Sequence, residues 1–229
     1  YSALSGATPV LRTSAFSAQL NAAASGLGAV LAACIGNPFD GQTLAVVSEQ
    51  SPEAVAANLN EAVHEGLVLA QPNAYVFLHD RVQQAAYGLI PAEAKQQAHL
   101  TLGRLLWRRG EREAAEAPGA VEEKLFDLAH HLNLGSELMT DSAERLALAQ
   151  LDLRAGRKAK SATAYAAALD YLRAGLTLLD ETHWRSDYEL SFALHLEAAE
   201  CWRLCSRFEE AEAAFNALLP RAQSKLDQA

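Results

Sequence analysis

The chain has 229 residues, half of them apolar, with 28 acidic against 19 basic side chains and a net charge of −9. That is enough apolar material for one large or two ordinary domains with real cores, which argues against a disordered chain. The acidic excess runs through both halves and disfavours duplex nucleic acid as a partner, while three cysteines (Cys34, Cys201 and Cys205) argue against a disulfide framework and for a reducing, cytoplasmic setting.

No run of about 18 apolar residues occurs and the first residues lack the charged start and apolar core of a leader, so neither a membrane span nor export is indicated. The chain starts without an initiator Met and stops in a helix-like pattern, "QSKLDQA", which suggests a piece of something longer.

Residues 1–15 are small and polar and read as a loop. From Phe16 to Ile35 apolar residues recur at helical spacing, weakened by Gly26 and Gly28, and "GNPFDG" ends the pattern. Asp40 is placed to cap a short helix, Gln42 to Ser48, and Ser51-Pro52 opens a third helix that runs to a Gly66 stop. The period then switches. "LVLA", a Gln-Pro-Asn turn and "YVFL" predict a two-stranded hairpin, so that helix, helix, helix, hairpin is the order of a winged helix. Asp80 to Leu89 is the helix after the wing, and Pro91 opens a long amphipathic one that gives way to a loop, "EREAAEAPGA".

The remainder reads as all-helical: Val121 to Leu134, Ser142 to Ala155 with Gly156 as its stop, Ala159 to Leu179, Asp187 to Cys205, and Phe208 to Leu219. Alignment of "AYAAALDYLRAGL" with "FEEAEAAFNALLP" sets Ala167 on Ala211 and Tyr171 on Phe215, a period of 44 residues. In the last hairpin Ala199, Trp202, Ala211 and Phe215 take the small and large offsets of a tetratricopeptide repeat (TPR); the first copy departs, with a longer connection and Lys158 where an aromatic belongs. The predicted fold class is mainly α: a winged-helix domain over residues 16–90, then a TPR-like α-solenoid over 91–229.

A phosphate loop, a Gly-rich dinucleotide turn, a serine elbow, HExxH and paired CxxC motifs are all missing, so no catalytic or metal site is predicted in this chain. Cys201 and Cys205 lie four apart on a helix with His195 six before, but a metal needs further donors, and buried small hydrophobes are the simpler reading. His130 and His131 are adjacent and diverge by about 100° on a helix, which disfavours a shared ion. Arg104, Arg108, Arg109 and Arg112, and again Arg154, Arg157, Lys158 and Lys160, read as solvated faces or as contacts for an acidic partner or a phosphate. In "FLHDRVQQAAYGLIP" the step His79-Asp80 has three readings. It is a metal dyad, for which other ligands are needed; a helix start, with Asp80 as N-cap or first-turn carboxylate and His79 as a packed junction residue; or part of a site completed by another domain.

The third reading rests on a resemblance. "LAACIGNPFDGQTLAVVSEQSPEAV", "VHEGLVLA", "YVFLHDRVQQAAYGLIP", "LAHHLNLG" and the stretch from "LDLRAGRKAKSATAYAAALDYL" to "FEEAEAAF" together resemble the segment after the ATPase core in large bacterial signalling proteins of the STAND class, signal-transduction ATPases with numerous domains. The resemblance implies an upstream ATPase domain in the same chain. It also implies serine/threonine-kinase-like, GAF and histidine-kinase domains elsewhere in that chain, ADP or ATP with Mg held by the ATPase domain rather than by this segment, and a protein partner on the helical repeats. Leu78-His79-Asp80 matches the Met/Leu-His-Asp motif of the class. By that resemblance His79 reaches the phosphates of ADP in the neighbouring domain and Asp80 sets the local geometry. A competing expectation is a transcription regulator whose recognition helix, about Pro52 to Glu65, meets DNA; it carries Glu53, Glu61 and Glu65 and no Lys or Arg, which opposes phosphate contact.

Overall fold

The computed structural model describes residues 27–116 and 124–223, and the earlier part of the predicted 16–35 helix, the Pro118-Gly119 loop and the start of the 121–134 helix lie outside them. The chain is mainly α and divides into two compact units between Leu102 and Gly103. In the first come α1 (Leu27–Ile35), α2 (Gly41–Ser48), α3 (Pro52–His64), a hairpin of β1 (Val68–Ala70) and β2 (Tyr75–Phe77), α4 (Asp80–Leu89), and then the start of α5 (Ala92–Glu116). Three helices followed by a two-stranded hairpin is the predicted order.

Local chemistry explains these boundaries. Asp40 caps α2 by accepting from the Thr43 amide at 2.7 Å, and Ser51 caps α3 by accepting from Ala54 at 3.2 Å, with Pro52 filling a first-turn position that needs no amide. At the other end of α3, Gly66 takes φ +69°, and the Gly66 and Leu67 amides return to the Val63 and Ala62 carbonyls at 3.0 and 2.9 Å. This left-handed cap turns the chain into β1.

The hairpin is antiparallel, with Val68 opposite Phe77, Leu69 opposite Val76 and Ala70 opposite Tyr75. It has a third participant that periodicity did not indicate. Phe39 exchanges backbone hydrogen bonds with Tyr75 at 2.9 and 2.7 Å, its ring packs on Tyr75 and Phe77, and the Phe77 amide donates to Asn37 Oδ1 at 3.0 Å. Val68, Phe77, Phe39, Leu44, Val55 and Leu59 are buried, so the hairpin's inner face closes the core made by α1 to α3.

The second unit holds the rest of α5, α6 (Leu125–Leu134), a 3₁₀ turn (Ser136–Leu138), α7 (Ser142–Ser161), α8 (Tyr165–Thr177), the short α9 (His183–Ser186), α10 (Tyr188–Leu204) and α11 (Phe208–Leu218). Successive helices pack as antiparallel neighbours: α6 on α7, α7 on α8, α8 on α10, α10 on α11.

Four expectations are corrected here. The long helix continues through "EREAAE" to Glu116, since those residues are strong helix formers and no Gly or Pro stops them. Gly156 is not a stop: α7 runs through it to Ser161, and a Cβ there would sit 2.6 Å from Leu172 Cγ, so the residue is small to admit α8. The predicted 159–179 helix is two helices, broken where Thr163 takes φ +61°, and α9 was not foreseen at all. The repeat is 43 residues rather than 44, because Thr163 and Ser206 (φ +60°) make the same left-handed turn and put buried Ala168, not exposed Ala167, in register with Ala211. A slip of one residue turns a helix by about 100°, which is the difference between those two faces.

Candidate functional site

The helix that follows the hairpin is held at three points. Val82 and Ala86, one turn apart, are buried; Gln83 donates from Nε2 to the Ala33 carbonyl on α1 at 3.3 Å; and Tyr87 Oη meets His99 Nε2 of α5 at 3.0 Å. What this leaves exposed is the first turn. His79, not Asp80, takes the N-cap position, with extended backbone (φ −143°, ψ 147°) and a carbonyl that accepts from Val82 at 2.9 Å; its imidazole makes no capping bond.

Leu78, His79, Asp80 and Arg81 are all exposed, Leu78 by 43 %. His79 is thus not the packed junction residue of the helix-start reading, whereas Asp80 is the first-turn carboxylate that the same reading allowed. The backbone amides of Asp80 and Arg81 lack intrahelical acceptors, as at any helix start, and the helix dipole adds a partial positive charge there. An imidazole, two amides and the Arg81 guanidinium therefore share one exposed turn, opposed by the Asp80 carboxylate. The donors of this set suit an anion. Among the described residues no three His, Cys, Asp or Glu side chains converge as a metal site would require.

The other sequence candidates fall into place one by one. Cys201 is buried, and burial pushes its thiol up to about 11, while Cys34, also buried, is pushed up to about 12; neither is a reactive thiolate. His195 turns to Trp184, with ring centroids 5.1 Å apart. His130 is exposed and His131 half-buried, their rings edge to face at 5.4 Å. Of the second basic stripe, Arg157 and Lys160 pair with Glu197 of α10, Lys160 also with Glu200, and Lys158 lies over Phe126 of α6. Of the first stripe, Arg104 makes a two-pronged bond to Glu144 at 2.7 Å and Arg109 pairs with Glu113.

One buried acid carried no sequence signal. Asp152 lies in α7 with no exposed surface, accepts at Oδ1 from Asn133 Nδ2 of α6 at 2.7 Å, and has Oδ2 without a partner among the described residues. Burial pushes its carboxyl up to about 8 against the opposing pull of Asn133. A lone acid within a run of buried leucines and alanines reads from sequence as the polar face of a helix.

Residues Glu53 and Glu61 of α3 are exposed, and the charge along that helix is acidic. At low salt, about 50 mM, a gel shift with duplex DNA is expected to show no complex, and a retarded band that vanishes as salt rises would overturn this.

No protein-family profile matches this chain, and no solved structure matches it. The chain is similar to hybrid signal transduction histidine kinase G of Dictyostelium discoideum, 27 % identical over 249 aligned positions that cover 84 % of this chain and 7 % of that protein. It spans about 7 % of the length of that relative. Among the described residues no helix is long and apolar enough to cross a membrane.

Proposed function

We propose that this chain is a regulatory, non-catalytic segment of a cytoplasmic multidomain signalling ATPase linked to a histidine or serine/threonine kinase. Its first unit acts as the winged helix of a STAND-type switch, and its TPR-like helices receive a protein partner. The nucleotide, ADP or ATP with Mg, belongs to an ATPase domain elsewhere in the same chain; this segment holds no cofactor of its own and meets neither nucleic acid nor membrane.

One observation carries the reading: His79 stands unencumbered at the exposed N-terminus of a helix whose body is anchored at three points. A phosphate brought to that turn meets an imidazole N–H, two free amides and a helix dipole, all of which favour an anion. Similarity to a signal transduction histidine kinase over most of the chain supports the same context. A ligand shifts a switch only through contacts that differ between its two states, and His79 supplies such a contact in the ADP-bound state alone.

In the full-length protein, His79→Ala is expected to speed release of a fluorescent ADP analogue by about tenfold, within the usual range of coupling free energies, and to raise basal output. His79 is exposed, so the variant should keep its melting temperature; unchanged release and output in a folded variant would sink the assignment.

A further inference from the structure

We propose that the cleft between α5 and α7 in the second unit is a docking site for an acidic protein segment that inserts one large apolar side chain. The cleft encloses about 370 Å³, within the range of sites that bury a ligand group. Its floor is Leu132, Met139 and Leu148, all buried, and Trp107 of α5 lines it beside them. Met139 brings an unbranched, polarizable thioether that adapts to different apolar shapes.

The polar groups around this cleft decide what fits it. Trp107 Nε1 is committed to Glu111 at 2.8 Å and Arg104 to Glu144. No buried polar atom of the lining is left without a partner, so the unmatched polar group is the exposed Arg108 at the rim and the floor is apolar. A docking side chain needs only the apolar hole, and Trp and Arg, both present here, are residue types enriched where interface binding energy concentrates.

Charge selects the partner's surroundings. Arg108 lines the cleft and Arg112 lies one turn further along the same face of α5; both are exposed, and neither guanidinium has a carboxylate partner among the described residues. Arg112 instead donates from Nε to the Arg108 carbonyl at 3.3 Å, which keeps it along that face. Two unmatched cations beside an apolar hole, on a chain of net charge −9, complement a short acidic segment. Glu144 and Glu113 are each neutralised by an arginine, Arg104 and Arg109, which leaves Arg108 and Arg112 against Glu111 at the rim. The inference stands on Trp107, Arg108, Arg112, Leu132, Met139 and Leu148 and holds whether or not His79 reads a nucleotide.

The test is calorimetric titration of the 229-residue chain with acetylated, amidated octapeptides that share an acidic frame and carry Leu, Phe or Ser at the centre, and with the Leu and Phe peptides in a Lys frame. The acidic Leu or Phe peptide should bind, with the Ser-centred and Lys-framed ones about tenfold weaker or more. Arg108→Glu, on an exposed side chain, should weaken binding about tenfold without changing the melting temperature. Ala147→Trp, which fills the cleft, should abolish it. Absence of binding by every acidic apolar peptide at about 1 mM, equal binding to Arg108→Glu, or equal binding of the Ser-centred peptide would each overturn the proposal. So would displacement of the peptide by a single-stranded oligonucleotide at lower concentration, which would assign the cleft to nucleic acid instead.

Discussion

Urea unfolding of Gly156→Ala is expected to show a loss of stability of about 1 kcal/mol, and Gly156→Val a loss of about 3 kcal/mol, where helix propensity by itself would make both substitutions stabilising. A Cβ at this position would lie 2.6 Å from Leu172 Cγ and 2.7 Å from Cδ2, inside van der Waals contact, and Leu172 is fully buried. Its side chain has no room to swing away, so α7 and α8 must separate or both must strain, and overpacking of this kind outweighs the roughly 1 kcal/mol that replacing a mid-helix glycine recovers. Gly88 is the control. It lies near the end of α4 with open space where its Cβ would stand, and Gly88→Ala should stabilise by a few tenths of a kcal/mol to about 1 kcal/mol. Opposite signs at two helical glycines, read from urea midpoints with unchanged slopes, check the close approach of α7 to α8. Equal, positive shifts at both would show that these helices do not meet at Gly156.

The second large effect is a pH dependence set by Asp152. An isolated aspartate ionises near pH 4, whereas in the fold its carboxyl is pushed up to about 8 because charge there would be buried with one oxygen unpartnered. Between these values the folded chain keeps a proton that the unfolded chain has lost, so this group makes stability fall as pH rises. The fall is up to roughly 1 kcal/mol for each pH unit across that window and levels off above about pH 8. Asp152→Asn, which keeps an oxygen for Asn133, removes the proton from the balance. Its unfolding free energy, followed by circular dichroism from pH 5 to 9, should be flatter than that of the parent chain, and at pH 9 the variant should be the more stable by a few kcal/mol. Coincident profiles for the two proteins would mean that Asp152 is charged at neutral pH and paired or hydrated.

These two residues show where reading a sequence reaches its limit. Gly156 follows a helical pattern and precedes a basic stretch, and a helix-ending glycine is the ordinary expectation. What keeps it in the helix is a leucine sixteen positions away on another helix, and no local rule contains that neighbour. Asp152 likewise looks like one polar residue on an amphipathic helix, and it is buried because α6 and α8 cover both sides of α7. The repeat offset failed for a related reason. Small and apolar residues are so frequent in these helices that an alignment of 44 can set Ala167 on Ala211 and Tyr171 on Phe215. The offset of 43 follows from the backbone turn at Thr163 and Ser206, residues whose side chains give no hint of a left-handed conformation.

The candidate nucleotide sensor divides in the same way. The place of His79 was legible because a change of hydrophobic period from two to 3.6 marks the junction at which it stands. That its ring lies in solvent, uncapping and unpacked, was not, since the same letters suit a buried junction; exposure came from Val82 and Ala86 taking the inner face and Gln83 tying the helix to α1.

The sequence by itself therefore determined what depends on neighbours within about one turn or one strand pair: the mainly helical class, the caps at Asp40, Ser51 and Gly66, the hairpin, and the position of His79-Asp80. Only the tertiary structure decided what depends on residues distant in the chain. It added Phe39 to the hairpin, carried α7 through Gly156, buried Asp152, and opened a cleft beside Arg108. The physical reason is common to all four: capping and periodicity are written in consecutive residues, whereas close packing and desolvation depend on which surfaces meet.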